Sequence, residues 1–127
     1  MLVWTHDRWR FPLPERHRFP LDKYALLRER VVADGTATAD EVRESDAVPW
    51  EWLESVHEPE LMGRIRGGSL SLREERGLGL PWSEALVERG RRSVGGTVAA
   101  ASLALDGGLG MNLGGGTHHA GRAFARG

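Results

Sequence analysis

The 127-residue sequence contains no cysteine. Disulfides and thiolate metal sites are therefore excluded, and any metal ion would have to be held by His, Asp or Glu. Net charge is nearly absent too, at −1 near neutral pH, which gives no electrostatic reason to expect nucleic acid or an anionic membrane as a partner. Long apolar runs are also missing. The longest, residues 94–105, contains Gly and Ser and falls well short of the roughly 20 residues a membrane span needs. The first residues, M-L-V-W-T-H, lack the apolar core of a secretion signal. These absences set the expectation of a soluble, cytoplasmic chain forming one domain over residues 1–127, since the length is too short for two.

What is present is ordinary in amount, with 40% hydrophobic and 28% charged residues, and uneven in arrangement. Residues 1–62 hold 8 basic and 13 acidic side chains, whereas residues 63–127 hold 9 and 5. The basic half is scattered arginine, which reads as solvated surface rather than a phosphate-binding patch. Residues 2–5 are short, apolar and β-branched and suit a strand. Prolines between residues 7 and 20 fix an extended loop. Tyr24, Leu27 and Val31 then recur at helical spacing, predicting a helix over residues 21–33 that stops at Gly35. A second strand is expected within residues 36–42, a brief helix through Trp50, Trp52 and Leu53 capped by Asp46, and another from His57 to Gly67. Residues 69–82 read as a loop, with at most a helical turn at residues 73–76. Trp9 and Trp82 are the tryptophans in loops that could line a pocket.

A long helix is expected from Ser83 to Leu105, with Ser83 as its N-cap and Glu84 and Glu88 near its positive end. Its first half sets Leu86 and Val87 against Glu88, Arg89, Arg91 and Arg92. Its second half is apolar all round, as in a helix entering the interior, and Gly95-Gly96 implies close packing on a sheet. Asp106-Gly107-Gly108 ends it, and residues 109–113 read as a buried strand. This helix, glycine turn and apolar strand give the rhythm of a parallel α/β sheet.

The segment after that strand, G-G-G-T-H-H-A over residues 114–120, is where chemistry is expected. Ligands of open α/β sheets bind beyond the carboxyl ends of strands, and histidine titrates nearest neutral pH. The glycines form neither a G-x-G-x-x-G fingerprint nor a Walker loop. Successive side chains of an extended segment point to opposite faces, so His118 and His119 fit a general acid/base pair better than two ligands of one ion. His6, His17 and His57 are isolated and read as structural.

These residues resemble a family. G-G-x-H-H-A over residues 115–120 is similar to the signature of the zinc-dependent histone deacetylase superfamily, which includes acetoin-utilisation and acetylpolyamine deacetylases. Phe19-Pro20-x-x-Lys23-Tyr24, Val56-His57-x-Pro59, Pro81-Trp82-Ser83-Glu84 and Gly95-Gly96-Thr97 resemble further segments in the family's order. The resemblance implies a partial arginase–deacetylase-type three-layer α/β fold with a parallel sheet. It also implies hydrolysis of an acetylated lysine or small acetylated amine by water on zinc. His118 resembles the histidine facing that water, His119 the one that protonates the leaving amine, and Gly127 the glycine whose carbonyl receives the substrate amide N–H.

The departures from the family pattern are specific. The family's zinc ligands, an Asp-x-His pair on the next strand and a later Asp, have no counterpart here, and the last acidic residue is Asp106. The carboxylates that orient the two histidines and the oxyanion-stabilising tyrosine are likewise missing. Leu61 replaces a frequent tyrosine, and Leu78-Gly79-Leu80 offers no acid at the channel rim. The expectation is therefore the N-terminal third of a deacetylase, truncated after the His-His motif, with no metal ligands of its own and no activity alone. Apolar surface around residues 94–113 should be left exposed. The alternative is a non-catalytic remnant or binding fragment that keeps only the scaffold. The sequence leaves the oligomeric state open.

Overall fold

The first element of the computed structural model is β1 (Leu2–Thr5), in which half-buried and buried positions alternate. The structure describes residues 1–116 and 118–127; Thr117, within the glycine–histidine motif, lies outside the described residues. Helix α1 (Lys23–Ala33) follows the proline-rich loop and buries Tyr24 and Val31. The second strand is β2 (Val42–Glu44), later than expected. A turn of 3-10 helix, Ala39–Glu41, occupies the expected place. There the Glu41 carboxylate accepts the Thr38 N–H at 2.9 Å, a local bond that competes with strand pairing.

Helix α2 (Trp50–Glu54) begins after Pro49 and not at an Asp46 cap. The residue before a proline is pushed out of helical conformation, so the helix cannot extend back through Val48. Helix α3 (Pro59–Gly67) carries proline in its first turn, where the missing N–H costs nothing. In place of the expected loop stands α4 (Leu72–Leu78). Ser71 caps it, its N–H donating to the Glu74 carboxylate at 2.8 Å while its hydroxyl accepts the Glu74 N–H at 3.3 Å. This is a capping box.

Helix α5 (Glu84–Leu105) starts where expected, with the Ser83 hydroxyl accepting the Leu86 N–H at 3.1 Å. Strand β3 (Gly110–Asn112) follows it. The three strands form one parallel sheet in the order β2-β1-β3, Val3 lying opposite Val42 on one side and Met111 on the other. A short antiparallel hairpin, β4 (His119–Ala120) with β5 (Ala125–Arg126), closes the described chain.

Two expectations for α5 are corrected. Its arginine face is a docking face, because Arg89 is only 5% exposed. Arg89 Nη1 donates to the carbonyls of His6 and Trp9, Arg91 to Val48 and Arg92 to Ser45, all at 3.0 Å or less. These carbonyls belong to the segments leaving β1 and β2, so the guanidinium groups satisfy acceptors that strand pairing leaves over. The apolar second half does not enter an interior, and its apolar surface is left exposed, as expected for a segment that lacks the rest of its sheet. Gly96 is buried, yet Leu105 is 90% exposed and Leu109, Met111 and Val94 are exposed as well. The sheet supplies one face for the helix to cover, and among the described residues nothing covers the other. The glycine pair does bring α5 close. A Cβ on Gly96 would lie 2.6 Å from Ser45 Oγ and 2.9 Å from Asn112 Oδ1.

Candidate active site

The carboxyl end of β3 is clasped to α5 by side-chain hydrogen bonds. Asn112 Nδ2 donates to the Ser93 carbonyl at 2.9 Å and to Thr97 Oγ1 at 3.0 Å, while its Oδ1 accepts the Gly114 N–H at 3.0 Å. Ser93 Oγ donates to the Gly114 carbonyl at 3.1 Å. The chain must then pass directly against the His6 imidazole, and a Cβ on Gly114 would lie 1.8 Å from its Cε1. Only glycine allows such an approach. The turn that leads to the histidines is thus fixed by β1, β3 and α5 together.

His6 is the side chain that sequence reasoning undervalued. It is 1% exposed, and its Nδ1 has no hydrogen-bond partner among the described residues. Its pKa is lowered to about 4, first by burial and then by the Arg89 charge, with Asp7 opposing and Arg92 adding to the drop. Beside it Arg89 lies over Tyr24, 4.4 Å from the ring centroid, and Phe11, 5.9 Å away. The sequence shows His6 only as one histidine in a run of loop residues; its burial is created by Gly114.

A cavity of about 540 Å³ runs from His6 along α5 to the hairpin, lined among others by Phe11, Phe19, Tyr24, Trp82, His118 and Phe124. Trp82 therefore lines a pocket, its indole N–H held by the Ile65 carbonyl at 2.7 Å. Trp9 is turned elsewhere, donating to Glu44 at 2.6 Å beneath the Arg92 guanidinium. His57 also faces the cavity, its Nδ1 2.9 Å from the Gly121 carbonyl, so it ties the hairpin to the start of α3. His17 accepts the Phe19 N–H at 3.1 Å, a structural contact.

The three site residues expected from sequence separate into two groups. His118 is half-buried in the cavity wall, 5.9 Å from the Phe19 ring centre. Gly127 is beside it: a Cβ there would meet Leu78 O at 2.5 Å and His118 Nε2 at 2.7 Å. The Gly127 N–H donates to the Gly77 carbonyl at 3.1 Å, fastening this end of the chain to α4. Burial lowers the His118 pKa, a hydrogen bond to the Leu78 carbonyl opposes this, and the Lys23 and His119 charges lower it further. His119 lies on β4 opposite Arg126, exposed and outside the cavity lining. The strand alternation that argued against a shared metal ion thus also separates the two imidazoles.

The zinc implied by the motif does not fit the residues present. Among the described residues no three His, Asp or Glu side chains are grouped to hold an ion, and a zinc site needs at least three protein ligands. No step can be assigned to the metal here. What the arrangement can do is narrower. A neutral imidazole that donates one N–H is an acceptor at its other nitrogen, so His118 can take a proton from a molecule in an aromatic-walled cavity. Among the described residues no helix is long and apolar enough to cross a membrane.

No protein-family model matches the chain. An uncharacterised protein of Picosynechococcus sp. is 42% identical over 115 residues, which make up 91% of this chain and 38% of that protein. The crystal structure of a histone deacetylase (HDAC) homolog complexed with SAHA matches with a TM-score of 0.69 at 25% identity, over 96% of this chain and 36% of that one. The chain thus spans little more than a third of either relative. Its mixed α/β fold, with three parallel strands, is that of part of a histone deacetylase homolog.

Proposed function

We propose that this chain is the N-terminal part of a zinc-dependent deacetylase that hydrolyses an acetylated lysine or small acetylated amine. One observation carries the reading: His118 stands in the wall of an aromatic cavity beyond the end of a parallel strand, in contact with Gly127. The likeness to the HDAC homolog supports it. In this reading His118, whose pKa burial lowers, takes the proton of the attacking water. His119, exposed on β4, is the residue that the resemblance assigns to the leaving amine, and the Gly127 carbonyl holds the substrate amide N–H. Phe19 and Phe124 flank the acyl chain and exclude water from it. The same reading puts the metal ligands in chain beyond this segment, which spans little more than a third of either relative.

The test begins with the DNA after codon 127. An in-frame Asp-x-His on a following strand supports the enzyme reading, and a stop codon overturns it in favour of a binding remnant. If the frame continues, the full-length protein should hydrolyse an acetylated amine. His118→Ala should then lower kcat at least about 100-fold, the usual weight of a general acid or base. Turnover unchanged by that substitution would assign the cavity another use.

A further inference from the structure

The charged side chains that line the cavity are Arg73, Arg89, Arg91, Arg126 and a single acid, Glu74. Glu74 is already neutralised, its carboxylate receiving Arg64 at 2.7 Å and the Ser71 N–H at 2.8 Å. Arg91 is balanced by Glu88 at 3.2 Å. The other three arginines have no ion pair among the described residues. Arg89 is buried, with an Nη2 that lacks a hydrogen-bond partner there. Arg126 lies over Phe124, 5.2 Å from the ring centroid. Arg73 precedes Gly77 by four residues, one helical turn, on the face of α4 that receives the end of β5. Lys23 adds a fourth positive charge, 5.3 Å from the centre of the Phe19 ring that borders His118.

A concave site lined by one sign of charge focuses its field and raises the local concentration of counter-ions. Such a site repels a polyamine or the flank of a lysine-rich peptide. We infer that the compound taken by this cavity is an anionic amide, an N-acylated amine that also carries a carboxylate, with Arg73 and Arg126 setting that preference. The inference rests on the deacetylase reading and narrows its substrate class. The acyl end lies against Phe19 and Phe124 beside His118, and the carboxylate lies toward the two exposed guanidinium groups. Each group acts alone as a partly screened surface charge; bidentate pairing of a carboxylate with arginine adds geometry to attraction.

The experiment is calorimetric or NMR-monitored binding by the 127-residue chain at low salt. The probes are N-acetylglutamate, N-acetylputrescine and uncharged N-acetylbutylamine. N-acetylglutamate should bind at least about tenfold more tightly than N-acetylputrescine, with the neutral compound between them. In Arg73→Gln/Arg126→Gln the preference should fall below about threefold. Both side chains are exposed, and circular dichroism will report whether the fold is kept. Equal or tighter binding of N-acetylputrescine overturns the inference while leaving an acylamine pocket standing, as does a preference that survives the double substitution. Failure of all three compounds to bind removes the pocket reading itself.

Discussion

Lowering the pH from 7 to 4 should destabilise the protein through His6. In the folded chain this imidazole loses its proton at about 4, against 6.5 when exposed. The neutral form is therefore the one that the fold retains. Between these two values the unfolded chain binds the proton and the folded chain does not, so stability falls as pH falls through that window. It levels off below about 4, where both states are protonated. With about 1.4 kcal/mol for each tenfold change in proton affinity, the full drop is worth about 3 kcal/mol. That is a large part of the 5–15 kcal/mol of a typical domain. His118 shifts the same way, so the assay compares wild type with His6→Gln. Urea denaturation at pH 7, 5.5 and 4 should lose most of its pH slope in the variant, and NMR titration of the His6 ring should give a midpoint well below 6. A His6 midpoint near 6.5, or an unchanged slope in His6→Gln, would refute the argument that burial under Gly114 keeps the ring neutral.

Other outcomes follow from the same contacts. Gly114→Ala should cost about 2–3 kcal/mol, at the upper end of overpacking, and much of this should be recovered in His6→Ala/Gly114→Ala, as read by a double-mutant cycle. Ser71→Ala should cost about 1 kcal/mol, the value of an N-cap, and should lower the helical signal of α4, measured by hydrogen exchange of its amides. Purified with excess zinc and then dialysed, the 127-residue chain should retain far less than one ion per molecule by elemental analysis. Leu105→Lys should leave stability, read by urea denaturation, within about 0.5 kcal/mol, as for other exposed positions.

The parallel sheet and the long helix were legible because their signals are local. Ser83 caps its own helix, Gly107 and Gly108 stop it, and the apolar runs at residues 2–5 and 109–113 are the right length for strands. Helix α4 is hard to read from the sequence because Gly77 and Gly79 break its pattern, while the Ser71–Glu74 capping box that starts it takes only two residues to encode. Asp46 looked like a cap, but Pro49 sets the start of α2 through the residue before it. Of the site, His118 and Gly127 were named from a motif, and their contact with each other depends on where α4 lies. His6 and Arg89 could not be weighed from sequence. An arginine on a charged helix face and a histidine in a loop become buried only through partners far along the chain. The apolar half of α5 shows the opposite limit: composition reports what a segment can bury, and its exposure was legible only from the strands that the resemblance implies and the chain lacks.

Strand β1 precedes the other described elements in sequence, yet it sits in the middle of the sheet, with Leu2 facing Gly110 and the His6 ring beneath Gly114. Its pairing with β2 closes a loop that contains only α1 and a 3-10 turn, whereas its pairing with β3 spans most of the described chain. Closure entropy grows with that separation, and folds built on distant pairings form slowly. During synthesis, Val3 and His6 therefore remain uncovered on one side until β3 is complete. The turn that bears His118 is consequently set in place only after β1, β2 and α5.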